Sequence, residues 1–200
     1  MQPHKTVGIL LAAGAGQRFD PTGVASKLMQ PLPSGVSVAV QSATNLLRVL
    51  SNVVAVVRSE KLAQQLRQAG CEVHLFEQAQ QGMGASLSFV MQKIKHSDLG
   101  ASRIDSVLVG LADMPYIETS TIQTVLNELQ QGADIVQPSF EQQAGHPVGF
   151  SSKHFAALSS LSGDVGAREL VRQFPVCRVT VNDPGILRDI DYASDLPVTS

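Results

Sequence analysis

Short, mostly apolar runs alternate with helix-patterned segments along this chain, and that alternation limits its fold more than any other feature. "TVGILLA" (6–12), "NVVAVV" (52–57), "CEVHLF" (71–76), "SVLVGL" (106–111), "ADIVQP" (133–138) and "CRVTV" (177–181) are short and rich in β-branched residues, and several are apolar throughout. Strands covered on both faces read this way. Helical patterning fills 39–50, 59–70, 84–96, 118–132, 152–161 and 164–174. Ser59 stands at a capping position, and Gly70 and Gly132 stand where helices stop. The alternation predicts an α/β fold of three layers, α/β/α, around a mostly parallel sheet. Ligands of such sheets bind beyond the C-terminal ends of the strands. The site is therefore expected from 12–27, 78–86, 111–115 and the segments after Pro138.

No linker or repeat divides the 200 residues, so a single domain over 1–200 is expected, large enough for its own core. With no Trp, that core must be mainly aliphatic. Fifteen Lys and Arg against 17 Asp and Glu leave a net charge of −2, which argues against nucleic acid as a partner. Cys71 and Cys177 are too far apart for a disulfide framework or a zinc spacing. The N-terminal apolar run, about seven residues, is too short to span a bilayer. It leads into glycines rather than a cleavage site. No membrane partner and a cytoplasmic location are expected.

The first strand runs into "AAGAGQRF" (12–19), and Lys27 follows. The dinucleotide fingerprint fails because Phe19 stands where its third glycine belongs and "DPTG" breaks the helix that should follow. The Walker pattern fails because Lys27 is not preceded by glycine. Residues 12–16 have little or no side chain, so their N–H groups can approach an anion, and Arg18 and Lys27 can reach the same anion. A tight turn with solvated cations explains the stretch equally well. Asp113 ends an apolar strand at the ligand edge, where a hard carboxylate suits Mg²⁺; capping the next helix is its alternative role. At 163–168, free N–H groups and Arg168 can hold an anion, or Asp164 simply caps. His146, between Gly145 and Pro147, contacts a ligand or fixes a turn.

Six blocks follow one another in order: "LLAAGAGQRF" with "SKLMQPL", "QGMGASL" (81–87), "GLADMP" (110–115), "GHPVGF" (145–150), "GDVGAREL" (163–170) and "DIDYASDL" (189–196). Together they resemble the molybdenum-cofactor-type nucleotidyltransferases, and among these the molybdenum cofactor cytidylyltransferases. One departure is the longer gap between Arg18 and Lys27, which carries "DPTGVAS". The resemblance implies a Rossmann-like, glycosyltransferase-A-like nucleotidyltransferase fold. It implies Mg²⁺-dependent transfer of CMP from CTP to the terminal phosphate of a molybdopterin-type cofactor, with pyrophosphate leaving.

By the same resemblance, Arg18, Lys27 and Asp113 are catalytic. Leu11, Ala12, Ala13, Gly14, Gly16, Gly82 and Ser86 hold the nucleotide, and His146, Pro147, Asp164 and Arg168 hold the acceptor. Asp113 and Asp191 bind the metal, with Asp191 preferred over Asp189. CTP rather than GTP follows from "LLAAG" alone, since the guanylyl branch usually reads L-A-G-G. A molybdoenzyme or its maturation chaperone is the implied recipient of the product. Two alternatives stay open. One is a nucleotidyltransferase that uses GTP or another small phosphate acceptor. The other is a nucleotide-binding regulator without turnover, which has no need of both acids.

Overall fold

β1 (Thr6–Ala12) lies inside the sheet, hydrogen-bonded in parallel to β2 (Val53–Val57) on one side and to β4 (Ser106–Leu111) on the other. This computed structural model describes residues 4–14, 16–22, 25–78, 81–96, 103–164 and 166–197. Ala15 of the glycine bend, Gly23 and Val24 of the gap before Lys27, and Val165 of the acceptor segment lie outside the described residues. β3 (Glu72–Leu75) adds in parallel to β2. On the other side, β7 (Val148–Ser151) pairs antiparallel with both β4 and β5 (Ile135–Phe140). β5 also pairs with the two-residue β6 (Gln143–Ala144) and, in parallel, with β8 (Cys177–Thr180).

The period of two along the central strands sorts the core into two layers. Leu10, Ala12, Val53, Ala55, Val57 and Leu108 face one way. There they meet α1 (Val38–Leu47), α2 (Glu60–Gln68) and α4 (Thr119–Gln130) through Ala43, Leu46, Leu62, Leu66, Ile122 and Leu129. Val7, Ile9, Val54, Val56, Val107 and Val109 face the other way. They meet α3 (Met83–His96), α5 (Phe155–Ser159) and α6 (Arg168–Gln173) through Leu87, Val90, Met91, Leu158 and Leu170. The three-layer expectation is met: helices cover both faces of a sheet that is mixed but mostly parallel.

The helices that follow β1 and β2 cover one face and the helix after β3 covers the other, while β1 and β4 end side by side. A crevice at the C-terminal edge follows from that change of side. The expected helix stops also hold: Gly70 and Gly132 have φ of 104° and 101°, a backbone region that disfavours other residues. "GHPVGF", not read as a strand from the sequence, runs into the antiparallel strand β7; Pro147 is buried and His146 partly so. Among the described residues, no helix is long and apolar enough to cross a membrane.

Candidate functional site

Beyond the ends of β1 and β4 lies a cavity of about 550 Å³. The bend after β1 forms one wall, with Leu11, Ala12, Ala13, Gly14, Gly16 and Arg18. Gly16 has φ 65°, and its carbonyl accepts from the Phe19 and Asp20 N–H groups, which closes the turn. Asp20 then folds the inserted gap: its carboxylate accepts from Thr22 N–H, Thr22 Oγ1 and Ala25 N–H at 2.9, 2.6 and 2.6 Å. The gap thus ends in a one-turn 3-10 segment, Lys27–Met29, which returns Lys27 to the cavity wall.

Lys27 is the buried cation of the site, 9% exposed. Its Nζ donates to Asp113 Oδ2 at 2.6 Å and to Asp191 Oδ1 at 2.8 Å. Burial pulls the ammonium pKa down, but the charges of Asp113 and Asp191 and their hydrogen bonds outweigh it and hold it above the usual lysine value. Arg18, far more exposed, pairs with the second oxygen of Asp191 at 2.5 Å.

Asp189 joins Asp113 and Asp191: one ligand oxygen from each lies within 4.8 Å of the others. Burial first, then the charges of Asp191 and Asp113, push the Asp189 carboxyl above the ordinary aspartate range. Three hard carboxylate oxygens at that spacing match the donor set of a small divalent cation. The resemblance favoured Asp191 over Asp189; both line the cavity. Residues 188–192 form no strand, and both acids turn to the same place.

The opposite wall comes from the start of α3. Gly82, Met83 and Ser86 line the cavity, and Ser86 Oγ donates to the Gly82 carbonyl at 3.2 Å. Here Ser162, Gly163 and Gly166 rest directly on the glycine turn. Gly84 N–H donates to the Gly163 carbonyl at 2.8 Å. A Cβ on Gly84 would lie 2.8 Å from that oxygen and 2.9 Å from the Ser162 carbonyl, so only glycine lets the two backbones meet. Asp164 reaches the cavity from this segment.

Most of the residues expected at the site are therefore brought together: the bend, Arg18, Lys27, Asp113, Gly82, Ser86, Asp164 and Asp191. Three do not line the cavity. Arg168 is exposed at the first position of α6. Pro147 is buried in the interior. His146 is only partly exposed, and its Nδ1 is sealed from solvent without a hydrogen-bond partner. Burial pulls its imidazole below the ordinary histidine value, offset in part by the charge of Asp113 and a backbone hydrogen bond at Val109. Gln17 and Met83 line the cavity without having been singled out, and Asp189, set below Asp191 on the resemblance, lines it too.

Comparison with known proteins fits this geometry. The family model described as "MobA-like NTP transferase domain" matches residues 8–178. The purine catabolism protein PucB of Bacillus subtilis (strain 168) is 27% identical over 203 residues, covering 96% of this chain and 94% of that protein. Rv0371c from Mycobacterium tuberculosis H37Rv shares the fold with a TM-score of 0.76 at 22% identity, covering 96% of this chain and 95% of its own. That protein has also been solved as a complex with manganese. A nucleotidyl transferase from Methanothermobacter superposes with a TM-score of 0.76 at 18% identity, over 96% of this chain and 94% of its own.

Proposed function

The chain belongs to the MobA-like NTP transferase family and is a nucleotidyltransferase, and from that premise we propose that it transfers CMP from CTP to the terminal phosphate of a molybdopterin-type cofactor. The observation that carries the reading is one cluster at the sheet edge. A side-chain-poor bend, a buried lysine and three aspartates from distant parts of the chain meet in one cavity. The chain acts as a single nucleotidyltransferase domain. Mg²⁺ is the proposed ion; the donor set fits a divalent cation, and the relative that binds manganese supports this class of metal.

In this reading, the N–H groups around Gly14 and Gly16 face the triphosphate, and Lys27 and Arg18 supply its positive contacts. The base lies between the backbone at 11–13 and the turn at 82–86. The acceptor approaches from the side of Asp164; His146, Pro147 and Arg168, which do not line the cavity, would act on it only from outside that lining. Asp113, Asp189 and Asp191 would hold the ion, which supplies charge neutralisation on the phosphates when bound. An oxygen of the acceptor phosphate attacks the α-phosphorus of CTP, the bond to the β-phosphate oxygen breaks, and pyrophosphate leaves. A phosphate monoester is already largely ionised near neutral pH, so no strong base is needed. Positioning and electrostatics carry the step. That accords with a site of cations, acids and glycines. A molybdoenzyme or its maturation chaperone would receive the product.

The test is pyrophosphate release with each of the four NTPs, with molybdopterin-type and simple phosphate acceptors. Release with CTP and the pterin acceptor supports the reading. Preference for GTP, or for a non-pterin phosphate, would keep the reaction class and replace the substrate.

A further inference from the structure

Asp183 is 2% exposed, touches no part of the cavity, and carries no role in the reaction described above. Its carboxylate is fully engaged on two sides. Oδ2 accepts from the Glu118 backbone N–H at 2.9 Å and from Thr121 Oγ1 at 2.7 Å. Oδ1 accepts from the Gly185 N–H at 2.8 Å. The first pair of donors follows Asp113 by a few residues, at the head of α4. The third belongs to the 3-10 segment Pro184–Leu187, which leads directly to Asp189 and Asp191.

Other contacts run along the same seam. The Ile190 N–H donates to the Asp113 carbonyl at 2.9 Å, directly beside the acids. The Arg188 guanidinium lies over the Tyr116 ring, 4.2 Å from its centroid. Gly185 packs so closely on the Tyr116 carbonyl that a Cβ there would collide with backbone. The two acid-bearing stretches are about seventy residues apart in sequence, and Asp183 is a buried carboxylate outside the cavity that bonds to both.

We propose that Asp183 is a positioning residue that fastens the segment carrying Asp113 to the segment carrying Asp189 and Asp191, and so sets the spacing at which the three acids can share one cation. This rests on the reading of those acids as metal ligands. An asparagine at 183 cannot replace it. Its carbonyl oxygen can serve donors on one side, but its NH₂ then meets donors on the other.

The experiment titrates Mn²⁺ into the full chain in the presence of CTP, read by electron paramagnetic resonance well below the unfolding temperature. Asp183→Ala and Asp183→Asn should each weaken Mn²⁺ binding by about tenfold or more, the scale seen when the groups that orient metal ligands are lost. Thr121→Val removes one bond of the tie and should weaken it less, with an unchanged circular dichroism spectrum. Leu66→Ala opens the core beneath α2, remote from the acids. It should lower stability and leave Mn²⁺ affinity alone, which separates positioning from general destabilisation.

Affinity within about twofold of the parent in both Asp183 variants overturns the proposal, as does an equal loss in Leu66→Ala. If the Asp183 variants fail to fold, unchanged affinity in Thr121→Val overturns it instead. Asp113→Asn distinguishes the two levels of failure. If it also binds Mn²⁺ like the parent, the metal reading itself falls and this inference with it. If Asp113→Asn alone loses the ion, the metal reading stands and Asp183 does not contribute.

Discussion

Replacing Lys27 by methionine keeps the length of the side chain and removes its charge. In the parent, the ammonium sits between Asp113 and Asp191 at 2.6 and 2.8 Å. Without it, two carboxylates with oxygens within 4.8 Å of each other face one another. At an effective dielectric of about 20, two unit charges at that distance repel by roughly 3.5 kcal/mol. Arg18 still pairs with Asp191, but it is exposed and screened. Each carboxylate side chain also keeps 20% of its exposure, which places the loss at the lower end for breaking a buried ion pair, about 3 kcal/mol. For a chain of this size, that corresponds to a fall in Tm of roughly 6–12 °C.

A divalent cation should reverse the loss, because it supplies the missing positive charge at the same oxygens. At about 100 times its Kd it would add about 2.7 kcal/mol. The parent must first release Lys27 from the acids, so its response to metal alone should be smaller. The assay is scanning calorimetry of parent and Lys27→Met in chelator and in Mn²⁺, without nucleotide. Equal Tm values in chelator, or a metal response no larger in the variant, would refute the view that Lys27 holds the place of the ion. Nucleotide affinity in the variant should also fall by about 1.5–3 kcal/mol, as expected for a lost charge-assisted contact.

Asp113→Ala should abolish pyrophosphate release while leaving the fold intact by circular dichroism; turnover within about tenfold of the parent removes it from the reaction. Gly84→Ala should push Ser162 and Gly163 off the glycine turn, raising KM for nucleotide and acceptor together and lowering stability by about 1–3 kcal/mol. Steady-state kinetics that match the parent would show that the two backbones need not touch. His146 should make stability depend on pH. Its folded value lies below the ordinary 6.5, so as pH falls past 6.5 the unfolded chain takes up a proton that the folded chain resists. Stability should drop from about pH 6.5 downward, and a plot of Tm against pH should be flatter for His146→Gln than for the parent.

The layers were legible in the sequence because buried parallel strands and amphipathic helices carry their patterns locally: β4 falls where "SVLVGL" predicts it, residue for residue. The bend, Arg18 and Asp113 were legible for a related reason, since each stands at the end of such a strand. β7 was not. Only four residues long, it pairs antiparallel with β4 and β5, and its β4 partners are distant in sequence.

The acids show the same limit more sharply. The resemblance favoured Asp191 over Asp189, although both belong to the site. Residues 188–192 form no strand, so no ladder fixes where these side chains point. What fixes this stretch instead is the Ile190 N–H on the Asp113 carbonyl and the Asp183 carboxylate on Glu118, Thr121 and Gly185. A buried aspartate followed by proline reads in sequence as an ordinary turn residue. Its partners about sixty-five residues away give it a different role, and Thr121→Val probes that role with the smallest change: one hydroxyl removed, no volume lost, and the ion's affinity as the readout.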